Sequence, residues 1–320
     1  MQTATILSAT ANVAFVVLCG FVCHRRGLLS EAVEKSLFDL TIRVLLPCLI
    51  FSKVARNPAL QDAANVVLPP IIGFVSCSLF IGLAYLIAQA HRVCGLRNRQ
   101  CAPTFAVISG IQNYGFLPIP LITALYSPAI ADGVLGVLFL HNVGIELAIW
   151  TVAVGLLSGG FEIKRMVNPP SVAIVIALGC NLSGIQQVLP GPIFGATDML
   201  AGATIPMALL LVGGTISNEV AQSAELRERR TLRTIVIGSV LRLGIFPLIL
   251  LAVASLPVSV ELRRVLMVQA AMPAAMFPII LAKHYSGDAP TAVAVGLGTS
   301  VLALVTIPLW LHIGMRLLGN

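Results

Sequence analysis

Charge is scarce in this chain: Asp, Glu, Lys and Arg make up only 10% of its 320 residues, while 58% are hydrophobic. No soluble domain of ordinary composition is built that way, so a water-facing globular fold is excluded. The motifs of hydrolytic and metal chemistry are missing as well. There is no H-E-x-x-H, no G-x-S-x-G elbow and no Cys-x-x-Cys, and the five histidines (His24, His91, His141, His284 and His312) are scattered. Enzymatic activity, a bound metal and a cofactor are therefore not expected. The seven cysteines lie mostly within or beside apolar runs and read as small packing residues.

What charge there is has a pattern. Basic residues outnumber acidic ones, 20 to 13, for a formal net charge of +7. A surplus of this kind would suit nucleic acid if it formed a patch. Instead it follows membrane topology. With the N-terminus outside, the inner loops hold Arg25, Arg26, Lys35, Arg92, Arg97, Arg99, Lys164, Arg165, Arg227, Arg229, Arg230, Arg233 and Lys283. The outer side holds only Lys53, Arg56, Arg263, Arg264 and Arg316, as the positive-inside rule requires. No basic n-region precedes the first apolar run, which reads as a retained helix rather than a cleaved signal peptide. The sequon at Asn181 stands at a helix end and carries little weight.

A hydrocarbon core about 30 Å thick needs about 20 apolar residues per helix. Ten stretches qualify: Ser8–Cys23, Leu37–Phe51, Val66–Ala90, Cys101–Leu125, Gly133–Leu157, Ser171–Val188, Ala196–Ile216, Leu232–Ala254, Val265–Ala282 and Ala292–Leu311. The expected fold is an all-α membrane protein of ten transmembrane helices, multi-pass in the cytoplasmic or plasma membrane with both termini outside. Five helices precede the loop Ser158–Asn168 and five follow it, so the second half lies inverted relative to the first. The expected units are residues 1–160 and 161–320. Each second helix holds a mid-helix proline, Pro47 or Pro206. Each fourth helix is interrupted, by Pro118 and Pro120 in one half and by Pro273 and Pro278 in the other. Backbone released from helical hydrogen bonding survives at membrane depth only inside protein or along a polar cavity. Paired interruptions in two inverted halves point to a transporter with its binding site where helices four and nine cross.

Several stretches resemble the auxin efflux carrier family, in its short bacterial form. They include Arg25-Arg26-Gly27-Leu28-Leu29, Leu45-Leu46-Pro47-Cys48-Leu49-Ile50-Phe51, the run from Asn142 to Thr151, and Asn168-Pro169-Pro170. Ile205-Pro206-Met207-Ala208-Leu209 and the segment from Ala271-Met272-Pro273 to Lys283-His284-Tyr285 belong to the same pattern. The resemblance covers essentially the whole chain. It implies a scaffold of helices one, two, six and seven, often dimeric, and a transport unit of helices three to five and eight to ten moving in an elevator-like cycle. It also implies organic-anion substrates such as auxin, malate or malonate. The family's plant members have proline just before the crossover asparagine, where this chain has Gln112 before Asn113.

The expected site follows from chemistry. An anion entering the membrane must exchange its water shell for fixed donors. Half-helices restarting after Pro120 and Pro278 would offer N-terminal N–H groups to it. Asn113, Gln112, Asn142, Pro120, Pro273, Pro278 and Arg242 are the candidate substrate-binding residues. Asn113 and Asn142 match asparagines that the resemblance places beside the substrate. Arg242, deep in the eighth span, offers a permanent charge to a carboxylate, or pairs with Glu146, or caps orphan carbonyls at the second crossover. Glu146 shares a helix face with Asn142 and is the candidate proton-coupling group, a paired structural role being the alternative. His141, on another face, is the secondary candidate. Asp39 and Arg43 read as an i, i+4 pair, Asp198 as a helix cap and Lys283 as a snorkelling residue. Expected partners are a small organic anion, the lipid bilayer and a second copy of the chain. A cation/proton antiporter on the same plan, or a non-transporting sensor, remains an alternative reading.

Overall fold

Helix is the only regular structure that can satisfy the backbone of so apolar a chain without closing a barrel. The computed structural model describes residues 2–90, 93, 100–222 and 229–319. It is all-helical. In chain order the helices are α1 (Gln2–Arg25), α2 (Glu31–Leu40), α3 (Leu46–Val54), α4 (Ala63–Ala90), α5 (Cys101–Gly110), α6 (Pro118–Leu125), α7 (Pro128–Ala148) and α8 (Val154–Ser158). They continue as α9 (Pro169–Ser183), α10 (Gly191–Gln222), α11 (Arg229–Val240), α12 (Phe246–Ala254), α13 (Val260–Ala270), α14 (Phe277–His284) and α15 (Ala289–Leu318). Six helical runs among the described residues are long and apolar enough to cross a membrane. His91, Arg92, Cys94, Arg97, Arg99 and Arg227, most of them counted above among the expected inner-loop residues, lie outside the described residues.

Three helix pairs are joined by one π-helical turn instead of a loop: Thr41–Leu45, Ile149–Ala153 and Leu241–Ile245. Two of these turns lie just before a proline, Pro47 and Pro247. Proline has no N–H and its ring crowds the carbonyl four residues back, so a widened turn accommodates it without ending the helix. The carbonyl released by Pro247 belongs to Leu243, and the Trp310 indole N–H donates to it at 2.6 Å.

Close packing depends on glycine at reciprocal positions of α4 and α7. A Cβ on Gly73 would stand 2.2 Å from the His141 carbonyl oxygen, and one on Gly144 only 1.8 Å from that of Pro70. Lacking both, the two backbones touch, which is how membrane helices gain packing energy without a hydrophobic drive between them. α1 lies along α10, and α3 packs against both α9 and α10; α5 and α7 pack on α4, and α11 on α15. Large apolar side chains such as Phe15, Val175 and Val305 face outward, as a lipid-exposed surface requires.

Several expectations need correction. Asp198 does not cap a helix; it lies well inside α10, where Ser52 and Arg56 donate to its carboxylate. Lys283 does more than snorkel, since its ammonium pairs with the buried Glu219 at 2.9 Å. Cys19, Cys23, Cys48, Cys77 and Cys180 are free, but Cys101 is disulfide-bonded and so is not simply a packing residue. The Asp39–Arg43 pair is present at 3.7 Å. Asn181 is buried with its amide donating to the carbonyls of Val54 and Asn57, which ties α9 to α3 and removes the sequon from access.

Candidate functional site at the helix crossover

Helix α5 ends at Gly110 and α6 begins at Pro118; α13 ends at Ala270 and α14 begins at Phe277. The half-helices thus restart at Pro118 and Phe277, earlier than expected. Pro120 and Pro278 sit within the first turns of α6 and α14, where a missing N–H costs nothing. The two extended segments meet. Gln112 and Ala274 form an isolated antiparallel bridge, in which the Asn113 N–H donates to the Pro273 carbonyl at 2.8 Å and the Ala275 N–H to that of Ile111 at 2.9 Å. Each break therefore supplies backbone partners that the other has lost to the interruption.

Side chains satisfy much of the remainder. The Asn113 side-chain oxygen accepts from the Leu117 N–H at 3.2 Å, closing the entry to α6. The Tyr114 carbonyl accepts from the Asn142 amide at 2.8 Å and from the Gln269 amide at 3.2 Å. Thr299 on α15 accepts from the Ala274 N–H at 3.3 Å. Successive residues of an extended strand alternate in direction. Gln112 and Asn113 accordingly face different surroundings: Gln112 turns toward Arg242 and Asn113 toward the start of α6.

Arg242 is completely buried and touches the first break, not the second. Its Nη1 donates to the Gly110 carbonyl and to the Gln112 side-chain oxygen, both at 3.4 Å. The guanidinium also lies about 5.3 Å from the Phe80 ring centroid and 5.2 Å from that of Phe246. Among the described residues no ion pair joins it to Glu146, one of the alternatives that the sequence leaves open. The Glu146 carboxylate instead accepts from the Asn168 amide and the Ser171 hydroxyl, each at 3.1 Å, at the N-terminal turn of α9. An acid there complements the helix dipole. Glu146→Gln leaves an oxygen able to accept both bonds, so transport activity is expected to stay within about threefold of wild type, whereas Glu146→Ala should cost about 1–3 kcal/mol of stability. Activity and melting of the two variants in proteoliposomes and detergent check this, and loss of a pH-gradient response in Glu146→Gln would restore a proton-carrying role.

The structure thus brings together Gln112, Asn113, Pro273 and Arg242, and joins Asn142 to them through Tyr114. Pro120 lines a narrow cleft with Leu46, Phe116, Thr204 and Ile205 instead. His141 is fully buried in α7, with its backbone against Gly73. A larger cleft, about 360 Å³, lies between α4 and α7–α8 among Ile81, Tyr85, Thr151 and Phe161, and no crossover residue lines it. Gln269 and Thr299 were not among the expected residues. Gln269 carried a signal, a lone amide in an apolar run directly before a break; Thr299 carried none.

The membrane transport protein family model matches residues 5–159 and 154–311. The chain is similar to an uncharacterized transporter of Methanothermobacter thermautotrophicus, 28% identical over 318 residues and 97% of each chain. It is also similar to an uncharacterized transporter of Methanocaldococcus jannaschii, 23% identical over 307 residues, covering 93% of this chain and 95% of the other.

Proposed function

Because this chain belongs to the membrane transport protein family, the auxin efflux carrier family, we propose that it is a secondary carrier of small organic anions working by elevator-type alternating access. As a transporter and multi-pass membrane protein it translocates a solute; the substrate class and the cycle are our reading. The observation that carries the reading is the backbone bridge between the two broken segments, beside a buried arginine. A transporter binding site is favoured where interrupted helices of two repeats meet, since half-helix ends and freed backbone can replace a solute's hydration there.

Packing supports a division into two bodies. α1, α3, α9 and α10 associate closely, corresponding to membrane helices one, two, six and seven. The helices that carry the crossover pack mainly on α4, α7, α11, α12 and α15. In this reading the first group is the scaffold, the site of any homodimer contact, and the second rides across the membrane with the anion. The protein would sit in the cytoplasmic membrane with ten spans in two inverted repeats and both termini outside.

The test is counterflow in proteoliposomes with trapped unlabelled malate, malonate or indole-3-acetate and the labelled acid outside. Accumulation above that in empty liposomes is expected for at least one acid. No counterflow with any of them, in vesicles holding folded protein, overturns the organic-anion reading and shifts weight to an inorganic ion or to sensing.

A further inference from the structure

Buried charge is rare enough in this protein to be followed residue by residue. Among the described residues three acidic or basic side chains are buried, His141, Glu219 and Arg242, and the neutral thiol of Cys77 is buried as well. Glu219 is compensated by Lys283. Arg242 makes no ion pair with any described residue. Its Nη1 is taken by the Gly110 and Gln112 oxygens and two aromatic rings flank it, yet Nε and Nη2 have no partner. Those two nitrogens form one edge of the planar guanidinium, the fork that holds a carboxylate through two parallel hydrogen bonds. The Gln112 side-chain nitrogen beside it is another buried donor without a partner. So are the hydroxyls of Ser109, one residue before Gly110, and of Ser239, three residues before Arg242.

We propose that the Nε–Nη2 edge of Arg242 receives one carboxylate, and that the carrier selects anions of single negative charge over dianions. This rests on the organic-anion reading above and narrows it. The reason is charge balance. A buried ion without a counter-ion is strongly disfavoured, and the crossover supplies one permanent positive charge and no second. The Gly110 carbonyl ends α5, so the partial negative charge of that helix end offsets Arg242 in part and strengthens the bias against a second negative charge. Glu146, one turn beyond Asn142 on the same helix, adds an acid rather than a base to the surroundings. A monocarboxylate neutralises Arg242; a dicarboxylate leaves one charge buried with only uncharged amides, hydroxyls and apolar side chains around it.

The experiment compares two acids of equal carbon number, lactate and malonate, in counterflow at about pH 8, where both malonate carboxyls are ionised. Empty-liposome uptake is subtracted. Lactate is expected to move at least tenfold faster, and malonate uptake to rise as the pH is lowered toward about 5 and its monoanion becomes available. Arg242→Lys, which keeps the charge but loses the fork, is expected to slow lactate at least tenfold. The wild-type comparison stands by itself if that variant does not fold. Malonate moving as fast as lactate or faster at about pH 8 overturns the single-charge proposal while leaving organic-anion transport intact. An Arg242→Lys protein that folds and transports lactate at the wild-type rate overturns the carboxylate fork. Absence of counterflow for lactate, malonate and indole-3-acetate alike overturns the carrier reading together with this one.

Discussion

Asn113→Ala is expected to abolish counterflow, by at least about a hundredfold, while the protein still inserts and runs as a single species in detergent. The side chain has two jobs to lose. Its oxygen holds the Leu117 N–H just before α6, a hydrogen bond whose removal costs about 1–3 kcal/mol if the N–H is left without a partner. Its nitrogen is the one remaining donor of an almost buried amide at the crossover. Loss of that bond alone would lower stability without stopping transport, because the backbone bridge to Pro273 does not use the side chain. Asn113→Asp keeps an oxygen for Leu117 but removes the amide donor and buries a negative charge, so transport is expected to be lost and the melting temperature to fall as well. Full activity in Asn113→Ala would remove the crossover from consideration as the substrate site.

The second large effect concerns stability. Gly144→Val is expected to lower stability by about 3 kcal/mol or more, enough to deplete folded protein from the membrane fraction. Overpacking a core costs about 1–3 kcal/mol when side chains can give way. Here the obstruction is the Pro70 carbonyl oxygen and the Phe74 nitrogen, both backbone, so the whole of α4 would have to shift. Gly82, in α4 with open space beside it, provides the control: Gly82→Ala should hold or slightly raise the melting temperature. Thermal melting of the purified proteins, followed by size-exclusion chromatography, reads both. A stable, monodisperse Gly144→Val protein would mean that α4 and α7 do not approach as closely as described.

The broken helices were legible because proline acts locally. Pro118, Pro120, Pro273 and Pro278 cluster at the two breaks, whereas single prolines such as Pro206 and Pro308 leave their helices continuous, and the apolar runs on either side mark the membrane segments. The position of each restart was less legible, since it depends on contacts within the extended segment: Asn113 reaches forward to Leu117, and α6 begins at Pro118 rather than after Pro120. Partners distant in sequence were not legible at all. Arg242 could be recognised as a costly buried charge, but its choice of the first break over the second is a matter of how α11 and α12 pack. The same holds for Glu146, whose partners stand at the opening of α9, and for Asp198, which finds Arg56 instead of a helix terminus. The reciprocal glycines of α4 and α7 look like any others in apolar sequence until the facing carbonyls are known.

The bridge between the two breaks also sets an order for biogenesis. Asn113 takes its backbone partner from Pro273 and Ile111 from Ala275, 160 and 164 residues further along the chain. At a synthesis rate of roughly 5–20 residues per second, the partners of the first break leave the ribosome about 8–30 s after it does. Through that interval an unpaired N–H and carbonyl stand at membrane depth, where lipid offers them nothing. The first half must therefore wait in a watery or protein-lined setting, such as the insertion machinery, and cannot be released into lipid as a finished unit.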